Sequence, residues 1–342
     1  MRVTYIAAAL VATLLAPAVA SSEGFSTYRA FDRWDSSSPL QDGEDMNERD
    51  QVVGSIGVVI NRRSVDRGFR WTPDTQKVEM AKDFPGGARA TWLTAINDRG
   101  TAVGTGTINV DGNPFIRRPL MLLPNGRRVS MAHLGEPSEH SVAVDVNNAG
   151  VAIGFVGRLE YLASYAVRWN PDGSVERLDV PPEVRRINDR GDIAGYWFNG
   201  QSYLREADGT FHTFSMFSLS HLGEDGTVAG ANESRAVLWT PQGGLEYLPS
   251  LPTRPGAGCY ARSVNRHGQV VGTCNTEINS WAVIWQRIGG EWAIEDLARL
   301  VKDDAIAGYA WATKINDAGH ILVGAAGAGE VLHPIILIPT RY

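Results

Sequence analysis

The side chains in this sequence that could carry out acid–base chemistry are dispersed along the chain. His221, Tyr260 and Arg262 together have the composition of a polysaccharide lyase site, in which His221 abstracts a proton from a uronic acid and arginine neutralises its carboxylate. A solvated or hydrogen-bonded histidine without a catalytic role is the competing interpretation, and we favour it. The sequence therefore assigns no catalytic residue.

A second group of residues has the chemistry of carbohydrate recognition. The apolar face of a sugar stacks on an aromatic ring, while its hydroxyls need oriented donors and acceptors. In the competing interpretation the aromatic side chains fill gaps between structural units, and the charged ones pair in a watery channel. The candidate ligand-binding residues are Asp42, Trp92, Glu183, Tyr260, Trp311 and Arg186.

The usual catalytic and cofactor signatures do not occur in the sequence. It contains no His-Glu-x-x-His, no Gly-x-Ser-x-Gly, no phosphate loop, no dinucleotide fingerprint and no Cys-x-x-Cys. Recurrent Asn-Asp-Arg-Gly stretches are too short and have too few ligands for a calcium loop. We therefore expect no cofactor and no metal site.

The candidate residues are brought together by an internal repeat. An aliphatic residue, Asn, two variable residues, Gly, a short apolar stretch and a second Gly recur seven times, with turns near positions 47, 97, 147, 188, 223, 265 and 316. Asn or Asp opens a hairpin turn and Gly takes a positive φ at little cost. The first copy has Asp50 where Gly is expected, and Asp tolerates that conformation better than most residues.

The repeat spacing predicts a seven-bladed β-propeller. Successive copies lie 35 to 51 residues apart, which matches a four-stranded blade. The last unit, which begins at Tyr309, has only three strand candidates. A spare strand candidate at Phe25 to Trp34 precedes the first repeat, and docking it onto the last blade would close the ring. We predict an all-β chain of seven four-stranded blades, closed by the N-terminal strand.

The repeat resembles the HAF-type extracellular repeat family, whose units carry Ile-Asn-x-x-Gly-x-Val-Val-Gly followed by His-Ala-Phe. The first part is well kept in Val264 to Gly272, whereas the second part is eroded and its histidine persists only at His333. The resemblance covers nearly all of residues 21–342. It implies an exported protein of β architecture, and it brings no established reaction and no catalytic residues.

The N-terminus predicts export. Residues 1–20 contain Arg2, an apolar run from Tyr5 to Leu15 and small residues before the expected cleavage, as in a signal peptide. The rest, 21–342, is expected to be a single secreted or periplasmic domain without a membrane span. A formal net charge of −6, with both signs mixed, argues against a nucleic-acid partner.

The two cysteines predict a disulfide. Cys259 and Cys274 flank the sixth turn almost symmetrically, so a hairpin places them opposite each other, and an exported protein meets an oxidising compartment. A bulged turn could instead shift the pairing by one residue.

These observations lead to two alternatives for function. The first is an exported non-enzymatic binding protein that presents one propeller rim to a glycan, a cell-envelope component or a protein. The second is a secreted polysaccharide hydrolase or lyase that uses inner-strand acidic, His and Tyr residues.

Overall fold

The computed structural model describes residues 24–31, 43–60, 62–82, 84, 87–158, 163–197, 200–302, 306, 308–326 and 332–340. Within them the strands form seven four-stranded antiparallel sheets, which are the blades of a β-propeller. The predicted fold class is therefore confirmed. The expected signal peptide, residues 1–20, lies outside the described residues and stays a prediction.

In blades one to six the chain runs from the innermost strand to the outermost one. Blade one contains β2 (Gly43–Met46), β3 (Val52–Ile60), β4 (Arg63–Thr72) and β5 (Lys77–Ala81). Blade two contains β6 (Thr91–Ile96), β7 (Ala102–Val110), β8 (Asn113–Leu122) and β9 (Arg128–Ser130). Blade three contains β10 (His140–Val146), β11 (Ala152–Gly157), β12 (Tyr165–Trp169) and β13 (Val175–Arg177).

The remaining blades repeat this arrangement. Blade four contains β14 (Glu183–Ile187), β15 (Ile193–Tyr196), β16 (Gln201–Arg205) and β17 (Phe211–Ser215). Blade five contains β18 (Ser218–Leu222), β19 (Val228–Asn232), β20 (Arg235–Thr240) and β21 (Gly244–Tyr247). Blade six contains β22 (Gly258–Val264), β23 (Val270–Asn275), β24 (Ser280–Ile288) and β25 (Glu291–Asp296). Two short 3-10 turns follow β4 and β25, at Pro73–Thr75 and Leu297–Arg299.

Blade seven is closed by the N-terminal strand. Its three inner strands are β26 (Ala310–Ile315), β27 (Ile321–Ala326) and β28 (Leu332–Pro339), and its outermost strand is β1 (Tyr28–Phe31). Tyr28 lies opposite Pro339, is buried, and donates its backbone N–H to the carbonyl of Leu300 over 2.8 Å. The predicted ring closure is confirmed; β1 is the strand described within the Phe25 to Trp34 stretch, of which residues 32–34 lie outside the described residues.

The seven turns that join the first and second strands of each blade lie on one face of the ring, which we call the turn face. In the second turn Gly100 has φ 83° and donates its N–H to the carbonyl of Asn97 over 2.9 Å. Asp50 takes the same left-handed conformation with φ 60°, so the first copy keeps the turn without a glycine. The tips of hairpins such as β3–β4 and β7–β8 lie on the opposite face.

The blades pack on one another through apolar side chains. The four tryptophans that recur at the end of the third strand are buried, and they belong to core clusters between neighbouring blades. They are Trp71, Trp169, Trp239 and Trp285. In blade six Cys259 lies directly opposite Cys274, and the two are joined in the predicted disulfide.

Candidate functional site

The repeated asparagine ties each blade to the next one at the turn face. In the second turn, the Asn97 Oδ1 atom accepts the backbone N–H groups of Arg99 and Thr101, at 3.1 and 2.9 Å. Its Nδ2 group donates to the carbonyl of Asn147 in the next blade, over 2.8 Å. The asparagines at 47, 147, 188 and 265 make the same interblade bond. In the last turn Asn316 donates instead to the Asp50 carboxylate over 2.8 Å.

A second ring of interblade bonds lies one residue further along each turn. There a backbone N–H donates to a side-chain oxygen of the next blade, as Asp98 N–H does to Asn148 Oδ1 over 2.7 Å. The accepting side chains around the ring are Asp98, Asn148, Asp189, Glu224, Asp317 and Glu48. Five of these six are carboxylates, so the mouth of the channel is strongly acidic.

A third ring lines the lumen below the turns. Asp45 accepts the N–H of Ile96 at 3.0 Å, and Asp145 accepts that of Ile187 at 2.9 Å. Arg186 donates through Nε to the carbonyl of Ser220 over 2.7 Å. In the same ring the Thr94 hydroxyl donates to the carbonyl of Ala143, and the Ser263 hydroxyl donates to the carbonyl of Ile315. Lys314 forms an ion pair of 3.0 Å with Asp45.

Within the described residues, the junction between blades five and six lacks all three kinds of bond. Gly223 stands where the other turns have Asn, and His221 occupies the lumen position. Among the described residues, no hydrogen bond joins His221, Gly223 or the Glu224 N–H to blade six. These blades are held together further out, where Trp285 donates to the carbonyl of Pro249 over 2.8 Å.

A cavity of about 1350 Å³ opens at the turn face, and side chains of all seven blades line it. Its central part is the mouth of the channel, with Asp45, Asp145, Arg186, His221 and Lys314 in the lumen. From there it extends outward between blades five and six. We call this extension the junction groove, and it is lined by Leu238, Thr240, Glu246, Val264, Gln269, Gln286, Arg287 and Trp292.

Electrostatics in the lumen raise the pKa of Asp145 and keep His221 neutral. Burial raises the pKa of Asp145 to about 6, with Arg186 opposing the shift and Asp45 adding to it. Burial lowers the pKa of His221 well below its usual range, and the charges of Lys314 and Arg186 lower it further. Burial also disfavours the charge of Lys314, but Asp45 more than compensates, so its pKa is raised.

The carboxylates of the acidic rim repel one another. Burial raises the pKa of Glu48, and the carboxylates of Asp317 and Asp98 contribute to the increase. Burial likewise raises the pKa of Glu224, with a further contribution from Asp189. A positively charged ligand at this rim would relieve the repulsion.

The sequence-predicted residues are divided between the two ends of the channel. Arg186 and His221 line the cavity at the turn face. Glu183, Trp92, Trp311 and Tyr260 lie near the start of their inner strands, toward the opposite face, and do not line that cavity. Arg262 is exposed on β22 and is also outside the cavity. Asp42 lies outside the described residues.

Several of the residues near the opposite face have structural partners. Trp92 donates through Nε1 to Asp66 of blade one over 3.2 Å, and the Arg117 guanidinium lies 5.3 Å from its ring centre. Glu183 is buried and pairs with Arg185 over 3.2 Å. The residues of the junction groove were not predicted from the sequence. Their one signal in the sequence is Gly223, which stands where the other six turns have asparagine.

Within the described part of the chain, no three His, Cys, Asp or Glu side chains are grouped so that they could hold a metal ion. None of the described residues forms a helix long and apolar enough to cross a membrane.

Comparisons with solved structures show β-propellers. A catalytically inactive variant of virginiamycin B lyase from Staphylococcus aureus with quinupristin is 13% identical, with a TM-score of 0.56 over 92% of this chain and 99% of that one. The β-propeller domain of the Trilobed protease from Pyrococcus furiosus is 14% identical, with a TM-score of 0.54 over 92% and 94%. The acylaminoacyl peptidase of Pyrococcus horikoshii is 11% identical, with a TM-score of 0.55 over 89% of this chain and 52% of that one.

At these identities the likeness shows the fold alone. No family model matches the sequence, and no curated protein matches it. The three similar structures belong to a lyase, a protease and a peptidase, and a propeller fold by itself does not specify an activity. The comparisons therefore establish that this chain is similar to β-propellers of diverse kinds.

Proposed function

We propose that this chain is an exported, non-enzymatic binding protein that presents its turn face to a ligand. The observation that carries the proposal is the cavity of about 1350 Å³ into which side chains from all seven blades project. Concave sites with a few convergent polar groups are typical of ligand binding. A glycan, a cell-envelope component and a protein are the ligand classes under consideration.

The arrangement of the polar groups favours binding over catalysis. His221 lines the cavity at the turn face, whereas Tyr260 and Arg262 are not among its lining residues. Asp45 is occupied by Lys314 and by the N–H of Ile96, and Asp145 by the N–H of Ile187. These bonds hold the ring together and fix the shape of the cavity.

Export is part of the proposal. Residues 1–20 have the sequence of a signal peptide, and the resemblance to the HAF-type extracellular repeats points to the same destination. The Cys259–Cys274 disulfide supports it, because such bonds persist in oxidising compartments. Detection of a mature N-terminus near Ser21 in an extracellular or periplasmic fraction would test this part.

The binding function can be tested by calorimetry against neutral, amino and uronic oligosaccharides and against peptides. His221→Trp fills the lumen without breaking any hydrogen bond that the structure shows, so it should abolish binding. Phe115→Ala is the matched control, since Phe115 is 66% exposed on the β8 strand near the opposite face. Equal binding by both variants would contradict a turn-face site. Turnover of an oligosaccharide would favour the enzymatic alternative.

A further inference from the structure

We propose that the ligand is held in the junction groove between blades five and six, and that it is a basic peptide segment of a partner protein. This inference rests on the proposed binding function and names its site and ligand class. It follows from three features: the interblade bonds that this junction lacks, the shape of the space that results, and the charge around it.

The missing bonds locate the groove. Six junctions carry a turn bond, a rim bond and a lumen bond, as between blades two and three, where Asn97, Asp98 and Thr94 each reach the next blade. At the fifth turn Gly223 has no side chain to donate. Its turn is completed instead by Asp225, which accepts the N–H of Thr227 over 2.9 Å. The channel mouth therefore continues outward at this junction, although the inner strands β18 and β22 remain in contact.

The groove has walls suited to an extended segment. Leu238 of β20 and Val264 of β22, which belong to one core cluster between the two blades, give the groove an apolar lining, and Trp292 of β25 lies further out. At the outer end Arg287 donates to both carboxylate oxygens of Glu246, at 2.6 and 2.9 Å. Both side chains are about half exposed, so this ion pair is weak enough to exchange with a charged ligand.

The excess of acidic side chains around the cavity favours a positively charged ligand. Nine acidic side chains and four Lys or Arg side chains line the cavity and its groove. The rim carboxylates of Glu48 and Glu224 have raised pKa values, to which repulsion from neighbouring carboxylates contributes. A lysine or arginine side chain entering here would be attracted along the whole channel mouth.

The aromatic surface at this face favours a peptide over a sugar. Among the described residues that line the cavity, Trp292 is the one Trp, Tyr or Phe side chain, and the Arg287 guanidinium lies 4.5 Å from its ring centre. A sugar ring that stacked on the same face would have to displace this cation. The predicted stacking residues Trp92, Tyr260 and Trp311 lie toward the opposite face.

A designed turn provides the test. Gly223→Asn combined with Asp225→Ala gives blade five the Asn-x-Ala-Gly turn that blade three has at Asn147 to Gly150. Gly223 does not have a positive φ, and Asp225 Oδ1 at 2.9 Å is the contact that an added Cβ would meet most closely, so removing that carboxylate makes room. The new Asn should bond to the carbonyl of Asn265 and separate the groove from the channel. Asp225→Ala alone is the control, because it removes the same charge and leaves the groove open.

The probe is a random-sequence peptide library displayed on phage and selected on the immobilised wild-type protein. We expect enriched peptides to be rich in Lys and Arg and to bind more weakly as salt is added. Their affinity should fall at least about tenfold further in the double variant than in Asp225→Ala, which corresponds to about 1.4 kcal/mol and separates closure of the groove from loss of the Asp225 charge. The double variant should also unfold at a temperature no lower than wild type.

Each contrary result has a distinct meaning. Peptides that bind the folded double variant as tightly as wild type would place the site outside the groove. Failure to enrich basic peptides, or selection of acidic ones, would overturn the ligand class. If an oligoglucosamine binds and is blocked by His221→Trp while no peptide binds, the peptide inference fails and the binding function stands. If nothing in either panel binds, the proposed function itself fails.

Discussion

Asn97 donates its side-chain amide to the carbonyl oxygen of Asn147, a residue fifty positions later in the chain and one blade further round the ring. The same side chain accepts two N–H groups of its own turn. The asparagine of the repeat therefore has a structural role that a turn residue alone would not need. It closes a hairpin and joins neighbouring blades in one step.

Replacement of this asparagine should destabilise the protein. Asn97→Ala removes three hydrogen bonds and leaves buried backbone groups unsatisfied, so the free energy of unfolding should fall by about 2 to 4 kcal/mol. Asn125→Ala is the control, since the exposed Asn125 accepts only the N–H of Arg127, and it should cost less than about 1 kcal/mol. Urea unfolding measures both. Equal losses in the two variants would mean that the interblade bond contributes nothing.

Ring closure by β1 should also contribute to stability. Deleting Ser21 to Trp34 removes β1 and exposes the edge of β28, so the protein should lose most of its stability. Tyr28→Ala is a milder change that removes a buried side chain, and we expect it to cost about 3 kcal/mol. Arg29→Ala, on the exposed side of the same strand, is the control. Thermal unfolding at an unchanged midpoint after the deletion would contradict the closure.

The disulfide should stabilise blade six. Cys259 and Cys274 are separated by 15 positions, for which loop closure predicts a contribution of roughly 3 kcal/mol. Replacing both residues with Ala should lower the free energy of unfolding by about this amount. Thiol titration of the denatured, unreduced protein should detect no free thiol. Two titratable thiols would show that the bridge does not form.

Asp145 should make stability depend on pH. Its pKa is about 6 in the folded protein, above the ordinary 3.8, so the folded state binds more protons than the unfolded state between these values. The stability of wild type relative to Asp145→Asn should therefore increase as the pH falls from about 7 toward 4, and decrease as the pH rises through 6. Burial is the main cause of this raised pKa; Arg186, the Ile187 N–H and Lys314 oppose it, and Asp45 adds to it. Parallel pH dependence in the two proteins would refute a titrating Asp145.

Much of the fold follows from residues that impose local geometry. The turn glycines and Asp50 fixed the number and position of the blades, because few residues accept a positive φ. The three-stranded last unit required a strand from elsewhere, and β1 supplies it. The symmetric position of Cys259 and Cys274 about their turn gave the correct pairing. These features depend on short-range sequence, so they could be predicted.

The binding cavity could not be predicted in the same way. Every inner strand has a register shift between the fourth and second residues before the turn position, as between Leu93 and Ala95. Trp92 therefore lies about 7 Å along its strand from the lumen ring. The residues expected to form one site therefore divide between two ends of the channel. The effect of Gly223 could not be predicted either, because the Asn side chain donates to a neighbouring blade only in the assembled ring.

Amide hydrogen exchange at the seven turns tests the central claim most directly, because the ring contains its own controls. The residue after the turn position donates its N–H to the next blade at 48, 98, 148, 189, 266 and 317, but the Glu224 N–H crosses to no blade-six acceptor within the described residues. We predict that the Glu224 amide exchanges faster than the other six in the ligand-free protein, and that it slows in Gly223→Asn/Asp225→Ala. Equal protection of all seven amides would show that the junction between blades five and six is closed, which would contradict a binding groove there.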